Sequence, residues 1–160
     1  MNNSQNGFEI TSYQDRYRAD FERLNREWIE KFFTLEDSDK KMFADPAGKI
    51  IVPGGQIFFI IENNRVQGTC AMMPENGTEI YELTKMAVDA SARGKGFGDR
   101  LMQKAIAFAK EKGAREIVLY SNKKLEAAIN LYKKYGFEFV PCAFDDRYQR
   151  ADVMMRLILE

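Results

Sequence analysis

Residues 83–98 read LTKMAVDASARGKGFG, an apolar strand pattern that runs into a glycine-rich turn, and a helix pattern follows at residues 99–112. Glycine at positions 94, 96 and 98 lets backbone N–H groups approach an anion closely, because no side chain stands in the way. The positive end of the following helix dipole points at the same place, and Arg93 and Lys95 add further positive charge. The stretch therefore predicts a phosphate-binding turn, with an ordinary glycine-rich turn and solvated charges as the alternative.

The spacing of these glycines disfavours two other phosphate-binding loops. A dinucleotide-binding G-x-G-x-x-G would need a glycine where Asp99 stands, and no G-x-x-x-x-G-K-[ST] occurs anywhere in the chain. What remains is R-x-x-G-x-G at the junction between a strand and a helix.

A second motif lies about thirty-five residues downstream. Residues 125–137 read LEAAINLYKKYGF and predict a helix that ends at Gly136, where a left-handed residue is favoured. One face of this helix carries Leu125, Ala128, Ile129 and Tyr132. With the glycine loop, the pattern A-x-x-L-Y-x-x-x-G-F resembles the two motifs of the GCN5-related N-acetyltransferases, the GNAT family. The resemblance extends from about Ile57 to the C-terminus.

The resemblance implies a fold, an activity and a cofactor. The fold is of the α/β (α+β) class, with a mixed and mostly antiparallel central sheet and helices on both faces. The activity is N-acetyl transfer from acetyl-CoA, whose pyrophosphate would occupy the glycine loop. The length suits one acetyltransferase domain over residues 1–160.

Periodicity predicts the order ααβββαβαββ, with an early strand near residues 9–11. Helices are expected at 14–33, from a Thr34 cap to Asp45, at 99–112 and at 124–135. The first helix carries an aromatic stripe that is expected to lie mostly in the core. A loop at 53–55 precedes strands at 57–61, 66–73 and 78–88, and Asn76-Gly77 indicates a hairpin. Later strands are expected at 117–120, 137–140 and 152–159.

The charge and hydropathy of the chain bear on its partners. Lys plus Arg and Asp plus Glu number 24 each, so no basic excess favours nucleic acid or an anionic membrane. The start MNNSQNGFEI lacks the pattern of a signal peptide, and no apolar run approaches the roughly 20 residues that span a bilayer. We expect a cytoplasmic protein that binds neither nucleic acid nor membranes.

The sequence contains no histidine. Ser-His and Cys-His triads, histidine bases and nearly all zinc sites need an imidazole, so proton transfer must use other groups. The two cysteines, Cys70 and Cys142, are too few for a disulfide framework and lack zinc-site spacing. No metal is expected, and the strand pattern around Cys70 predicts that this thiol is buried.

Acetylation of an ammonium group with a pKa near 10.4 requires a base. Glu82 is the candidate, because it lies five residues before Ala87, the offset of the general-base glutamate in several members of the family, and Glu79 is a weaker substitute. The alternative is a solvated or ion-paired carboxylate on a sheet. The resemblance assigns Tyr132 as proton donor to the leaving thiolate, with a half-buried structural aromatic as the alternative.

The resemblance also supplies a cofactor-binding set. A backbone N–H near residues 86–88 would polarise the thioester carbonyl. Many members carry an asparagine seven residues before the motif tyrosine, where this chain has Leu125, so Asn122 would take over that contact. The expected cofactor-binding residues are Met86, Ala87, Val88, Arg93, Gly94, Lys95, Gly96, Phe97, Gly98 and Asn122.

The acceptor is the least specified part of the reaction. Trp28, Phe32, Tyr148 and Arg150 are candidate walls of an acceptor pocket. The leading interpretation is direct transfer to a primary amine of a small molecule in a ternary complex. An acetyl-CoA-binding sensor with little catalysis and an acetyltransferase for protein lysines or N-termini are the alternatives, and a homodimer stays open.

Overall fold

A computed structural model describes residues 7–77, 79–141 and 149–160 of the chain. The strands are β1 (Phe8–Ser12), β2 (Gln56–Glu62), β3 (Arg65–Asn76), β4 (Ile80–Val88), β5 (Glu116–Ser121), β6 (Glu138–Val140) and β7 (Val153–Ile158). The α-helices are α1 (Arg18–Phe32), α2 (Asp37–Ala44), α3 (Phe97–Glu111) and α4 (Glu126–Lys134). Short turns of 3-10 helix precede α1 and follow β4.

The strands form one seven-stranded sheet in the order β1-β2-β3-β4-β5-β7-β6. Neighbouring strands are antiparallel except β4 and β5, which are parallel. The parallel pairing joins residues 80–82 to residues 116–118, and within the described chain β4 and β5 show no pairing beyond it. The two strands therefore diverge after Glu82 and Val118.

Helices pack on both faces of the sheet, each over its own apolar layer. On one face, α3 and α4 bury residues such as Leu101 and Ile129 against β-strand side chains such as Cys70 and Leu83. On the other face, α1 and α2 bury Phe21, Leu24, Ile29, Met42 and Phe43. This mixed sheet with two helical layers confirms the predicted fold class.

The predicted order of elements is confirmed, including the early strand and the three-stranded meander. Gly113 and Gly136 follow α3 and α4 with φ of +76° and +96°, as glycines at helix C-termini often do. The predicted cap at Thr34 is wrong, because Glu36 caps α2 through a reciprocal capping box with Asp39.

Two other expectations need correction. Helix α3 begins at Phe97, not at residue 99, so its first turn includes part of the glycine loop. The aromatic stripe of α1 is only partly core: Phe21 is fully buried, whereas 41% of the Phe32 surface is exposed. A five-residue π-helix at Ala47–Ile51, which the sequence analysis does not predict, precedes the loop at 53–55.

Tyr148 and Cys142 lie outside the described residues. Within the described ranges, no helix has the length and apolar character needed to cross a membrane.

Candidate active site

A cavity of about 480 Å³ opens where β4 and β5 diverge. Its walls come from residues 83–88 of β4, residues 120–122 at the end of β5, the last turns of α1, and the start of α4. Arg93 and Gly98 reach it from the glycine loop, and Arg150 reaches it from the segment before β7. The divergence of the sheet therefore brings both sequence motifs to one site.

The glycine loop has the backbone that its sequence predicts. Gly94 and Gly96 have φ of +84° and +79°, in the left-handed region that favours glycine. Apart from each glycine and its chain neighbours, no atom of the described residues lies within 4 Å of where a Cβ would stand on either. Gly96 is the N-cap of α3, so the first N–H groups of that helix point out of its N-terminus. The loop therefore offers open backbone donors and a positive helix end to an anion.

Two residues of the predicted cofactor set have other contacts in the structure. The ammonium of Lys95 lies 2.7 Å from a carboxylate oxygen of Glu62, and Lys95 is not among the described residues that line the cavity. The ring of Phe97 is buried and packs edge-on against Phe8 at 5.3 Å between centroids. Phe97 can therefore meet a ligand through its backbone, and its side chain belongs to the core.

The predicted oxyanion strand is at the cavity. Met86, Ala87 and Val88 line it, beyond the point where β4 loses β5 as a neighbour. A register shift against β3 falls at Lys85, which has φ of +54°. This bulge turns the backbone of β4 in the stretch next to the glycine loop.

Tyr132 lines the cavity from α4 and packs against Phe137. Burial raises the pKa of its phenol to about 12, with the nearby Cys70 a second cause. The phenol is therefore protonated near neutral pH and can donate a hydrogen bond or a proton. Cys70 is fully buried, as predicted, and burial raises the pKa of its thiol to about 12 as well.

Glu82 lies under the site and not at its surface. Its residue is 2% exposed, and it is not among the described residues that line the cavity. It pairs with Met73, whose side chain packs in the layer below α1 and α2, so Glu82 faces the same layer. Glu79 is exposed in the β3–β4 connection. Neither carboxylate borders the cavity directly.

A buried ion network joins α2 to the cavity. The ammonium of Lys85 lies 2.7 Å from Asp39, and Arg150 donates two further bonds to Asp39 at 2.7 and 2.8 Å. Arg150 also bonds Glu36 at 2.9 Å. Burial alone would raise the pKa of Asp39, but its bonds to Arg150 and Lys85 hold it well below the usual range. Burial lowers the pKa of Lys85, which the charges of Asp39 and Glu82 oppose.

Most of the predicted acceptor-pocket residues line the cavity. Trp28, Phe32 and Arg150 all contribute to it, whereas Tyr148 lies outside the described residues. The guanidinium of Arg150 stacks 5.4 Å from the Trp28 ring, so the wall is aromatic with a cation behind it. Asn122 also lines the cavity, but its side chain donates to the Arg150 carbonyl at 2.7 Å and accepts from the Lys124 N–H.

The geometry can be set beside known proteins. The sequence profile of the acetyltransferase (GNAT) family matches residues 14–137. The chain belongs to the GNAT family. This is the family that the two sequence motifs predict.

The relatives of this GNAT chain include three proteins named as acetyltransferases. An uncharacterized N-acetyltransferase of Schizosaccharomyces pombe is 28% identical over 123 residues, which are 74% of this chain and 75% of that protein. An uncharacterized N-acetyltransferase of Methanocaldococcus jannaschii is 40% identical over 60 residues, or 38% of this chain and 26% of that protein. The mycothiol acetyltransferase of Cellulomonas flavigena is 27% identical over 104 residues. The chain spans less than a third of the length of the last two relatives, at 26% and 30%.

Solved structures share the fold at low identity. A GNAT-family acetyltransferase of Staphylococcus aureus Mu50 has a TM-score of 0.86 at 20% identity and covers 96% of this chain and 99% of its own. The Salmonella typhimurium protein yncA, solved with its cofactor acetyl-CoA, has a TM-score of 0.75 at 19% identity and covers 96% and 94%. At such identities the likeness establishes the fold, and the acceptor must be argued from the site.

Sequence reasoning missed several polar residues of this GNAT site. Lys85 and Asp39 each sit in a pattern that also suits a solvated charge, and only the fold brings them together. Tyr120 lies in a predicted strand and Glu75 lies between two predicted strands, and neither belongs to a motif, yet the Tyr120 hydroxyl donates to Glu75 at 2.7 Å beside the cavity. The available signal was a charged residue inside the apolar run of β4, which marks Lys85 as a residue that needs a buried partner.

Proposed function

We propose that this GNAT enzyme transfers an acetyl group from acetyl-CoA directly to a primary amine of a small molecule, within a ternary complex. The observation that carries the proposal is the cavity between the diverging strands. Arg93 and Gly98 of the glycine loop, the aromatic wall at Trp28, and Tyr132 all line it.

The chain's residues suit acetyl-CoA, which supplies an activated acetyl group as a thioester. Open glycine backbone at Gly94 and Gly96 suits a pyrophosphate, and Arg93 brings a guanidinium to the cavity. The apolar side chains on the α4 side of the cavity suit the uncharged arm of acetyl-CoA. They are Leu125, Ala128 and Leu131. Lys95 would add charge only if it left Glu62.

Each chemical step has a candidate group. A backbone N–H from residues 86–88 is proposed to hold the carbonyl oxygen, because this stretch of β4 lines the cavity beyond its pairing with β5. Tyr132 is proposed to donate a hydrogen bond, and then a proton, to the departing thiolate, because it lines the cavity and its phenol is protonated near neutral pH. A carboxylate behind the cavity is proposed to take up the acceptor's proton at a distance, and Glu82 is the candidate from the sequence, although it does not border the cavity.

Direct transfer is favoured over an acetyl-cysteine intermediate. A thiol attacks as its thiolate, and burial raises the pKa of Cys70 to about 12. Cys70 also lies in the apolar layer under α3 and has no histidine to activate it.

The test is release of free thiol from acetyl-CoA against a panel of primary amines, with lysine-containing peptides as a separate arm. We expect turnover with at least one small amine and intersecting initial-velocity lines. Calorimetric binding of acetyl-CoA without turnover of any acceptor would instead support a sensor module. Acetylation of peptides with no small-amine activity would overturn the proposed acceptor class.

A further inference from the structure

The proposed reaction needs a route by which the acceptor's proton leaves the cavity. A primary ammonium resembles that of lysine, with a pKa near 10.4, and is protonated at neutral pH. Glu82 and Glu79 do not border the cavity among the described residues, so neither meets an acceptor directly. Tyr120, by contrast, lines the cavity at the end of β5, next to the edge of β4.

The Tyr120 hydroxyl is already paired with a carboxylate. It donates to Oε1 of Glu75 across 2.7 Å, a short bond of the kind formed with a charged acceptor. A phenol whose hydrogen is given to a carboxylate keeps its oxygen lone pairs as acceptors. Tyr120 can therefore accept a hydrogen bond from an ammonium while it donates to Glu75.

The backbone explains why Glu75 reaches Tyr120 across β4. Pro74 pairs with Tyr81 and Asn76 pairs with Ile80, so Glu75 is an extra residue on β3. Such a bulge re-aims a side chain out of the regular alternation. On β5, Leu119 packs under α3 and α4, so its neighbour Tyr120 faces the α1 and α2 side.

This face of the sheet forms a polar layer behind the cavity. Glu82 faces it from β4, and Lys85 and Asp39 form their ion pair in it. The layer therefore places carboxylates and cations directly behind the cavity wall that Tyr120 forms.

We propose that Tyr120 relays the acceptor's proton to Glu75, a proposal that rests on the proposed acetyl transfer. The ammonium gives a proton to the Tyr120 oxygen while the Tyr120 hydroxyl proton passes to Glu75. The freed nitrogen lone pair forms the bond to the acetyl carbon, the carbon–sulfur bond breaks, and Tyr132 protonates the thiolate. The second proton that the nitrogen loses as the amide forms returns to Tyr132, and Glu75 releases the first proton to solvent before the next turnover. Tyr120 is then the group that touches the acceptor, and Glu82 contributes negative charge behind it.

The test compares two acceptors that differ in protonation. The first, 2-phenylethylamine, is an ammonium at pH 7, and the second, O-methylhydroxylamine, is neutral at that pH. The kcat/KM for thiol release is measured for the wild type, Tyr120→Phe, Glu75→Gln, their double variant and Glu82→Gln. Tyr135→Phe is the matched control, because its hydroxyl bonds Asp99 at 2.9 Å away from the cavity.

The relay predicts that the loss of kcat/KM in these variants depends on the acceptor. With 2-phenylethylamine, kcat/KM falls about 100-fold in Tyr120→Phe and in Glu75→Gln, the lower end of a general acid–base contribution. The double variant falls no further than either single variant, because both remove one route. With O-methylhydroxylamine, the kcat/KM values of the two single variants and the double variant stay near that of the wild type. The deficit with 2-phenylethylamine shrinks as the pH rises, because more of that amine is then neutral.

Two outcomes defeat the relay. An equal loss with both amines would make Tyr120 a structural residue. A loss confined to Glu82→Gln would make Glu82 the base without Tyr120. Because a glutamine side chain retains an acceptor oxygen for the phenol, Glu75→Gln tests the relay even if Tyr120→Phe folds poorly. A wild type inactive on all amines would overturn the proposed function, and the relay with it.

Discussion

Replacing Asp39 by asparagine should destabilise the fold through the two cations that it leaves behind. Asp39 is fully buried and accepts three bonds at 2.7–2.8 Å from Lys85 and Arg150. Asparagine keeps the size but removes the charge and turns an N–H₂ group toward a cation. Removal of one partner from a buried ion pair costs about 3–5 kcal/mol. We expect the lower part of that range, because Glu36 and Glu82 remain near the cations.

The assay is thermal and denaturant unfolding at pH 7. For a chain of this size, 1 kcal/mol shifts the melting temperature by about 2–4 °C, so Asp39→Asn should lower it by roughly 6–12 °C. Asp37→Asn is the matched control, because Asp37 lies on the same helix with its side chain 93% exposed and 4.0 Å from Lys40. Exposed pairs of this kind contribute little, so this control should melt close to the wild type.

The pH dependence of the stability is a second measurement for which the direction of the change is predicted. The folded pKa of Asp39 lies below its unfolded value of about 3.9, so its contribution is present above about pH 4 and is lost as the pH falls toward the folded value. The gap between wild type and Asp39→Asn should therefore narrow in acid. Adding Lys85→Met to Asp39→Asn should restore part of the lost stability. Equal melting of the Asp39 and Asp37 variants would refute the reasoning.

Three further variants test the donor side and the order of the reaction. Gly96→Asp should weaken acetyl-CoA binding by at least about 10-fold in calorimetry, because it puts a negative charge at the helix N-terminus where the phosphates would bind. Gly113→Asp, with a similar positive φ at the other end of α3, should leave the affinity unchanged, and equal affinities of the two variants would contradict a phosphate site. Tyr132→Phe should retain acetyl-CoA affinity but have a kcat about 100-fold lower, with Tyr135→Phe as the control. A Tyr132→Phe variant with the wild-type kcat would assign Tyr132 a packing role only. Cys70→Ala should melt at a lower temperature yet keep its kcat per folded molecule and its intersecting lines, and parallel lines in the wild type would speak for an acetyl-enzyme.

Most of the fold could be predicted from the sequence because turns, helix ends and strand periodicity are each set by a few neighbouring residues. A glycine with positive φ at Gly96, the helix stop at Gly136 and the hairpin at residues 76–77 all depend on a few neighbouring residues. The wrong prediction for the cap of α2 was also a local matter. Thr34 and Glu36 lie two residues apart, and the structure selects Glu36 through its bonds with Asp39.

Much of the candidate site was predictable, since the two motifs and the acceptor-wall candidates Trp28, Phe32 and Arg150 all contribute residues to the cavity walls. The glycine loop and Tyr132 are contiguous patterns, and the structure brings both to the cavity walls. The contacts of Asp39 with Lys85 and of Glu75 with Tyr120 join residues about 45 positions apart. Such pairs depend on strand order and on bulges, which no local periodicity encodes.

The two proposed parts of the site differ in what a point mutation can change. On the proposed donor side, the groups that would face the ligand are main-chain N–H groups in a loop with glycines at positive φ, and most substitutions elsewhere in the chain leave them in place. On the proposed acceptor side, the wall is made of side chains such as Trp28 and Phe32 at the end of α1, where a single substitution alters shape and charge. We therefore expect substitutions at the end of α1 to change the choice of acceptor more readily than they change donor binding.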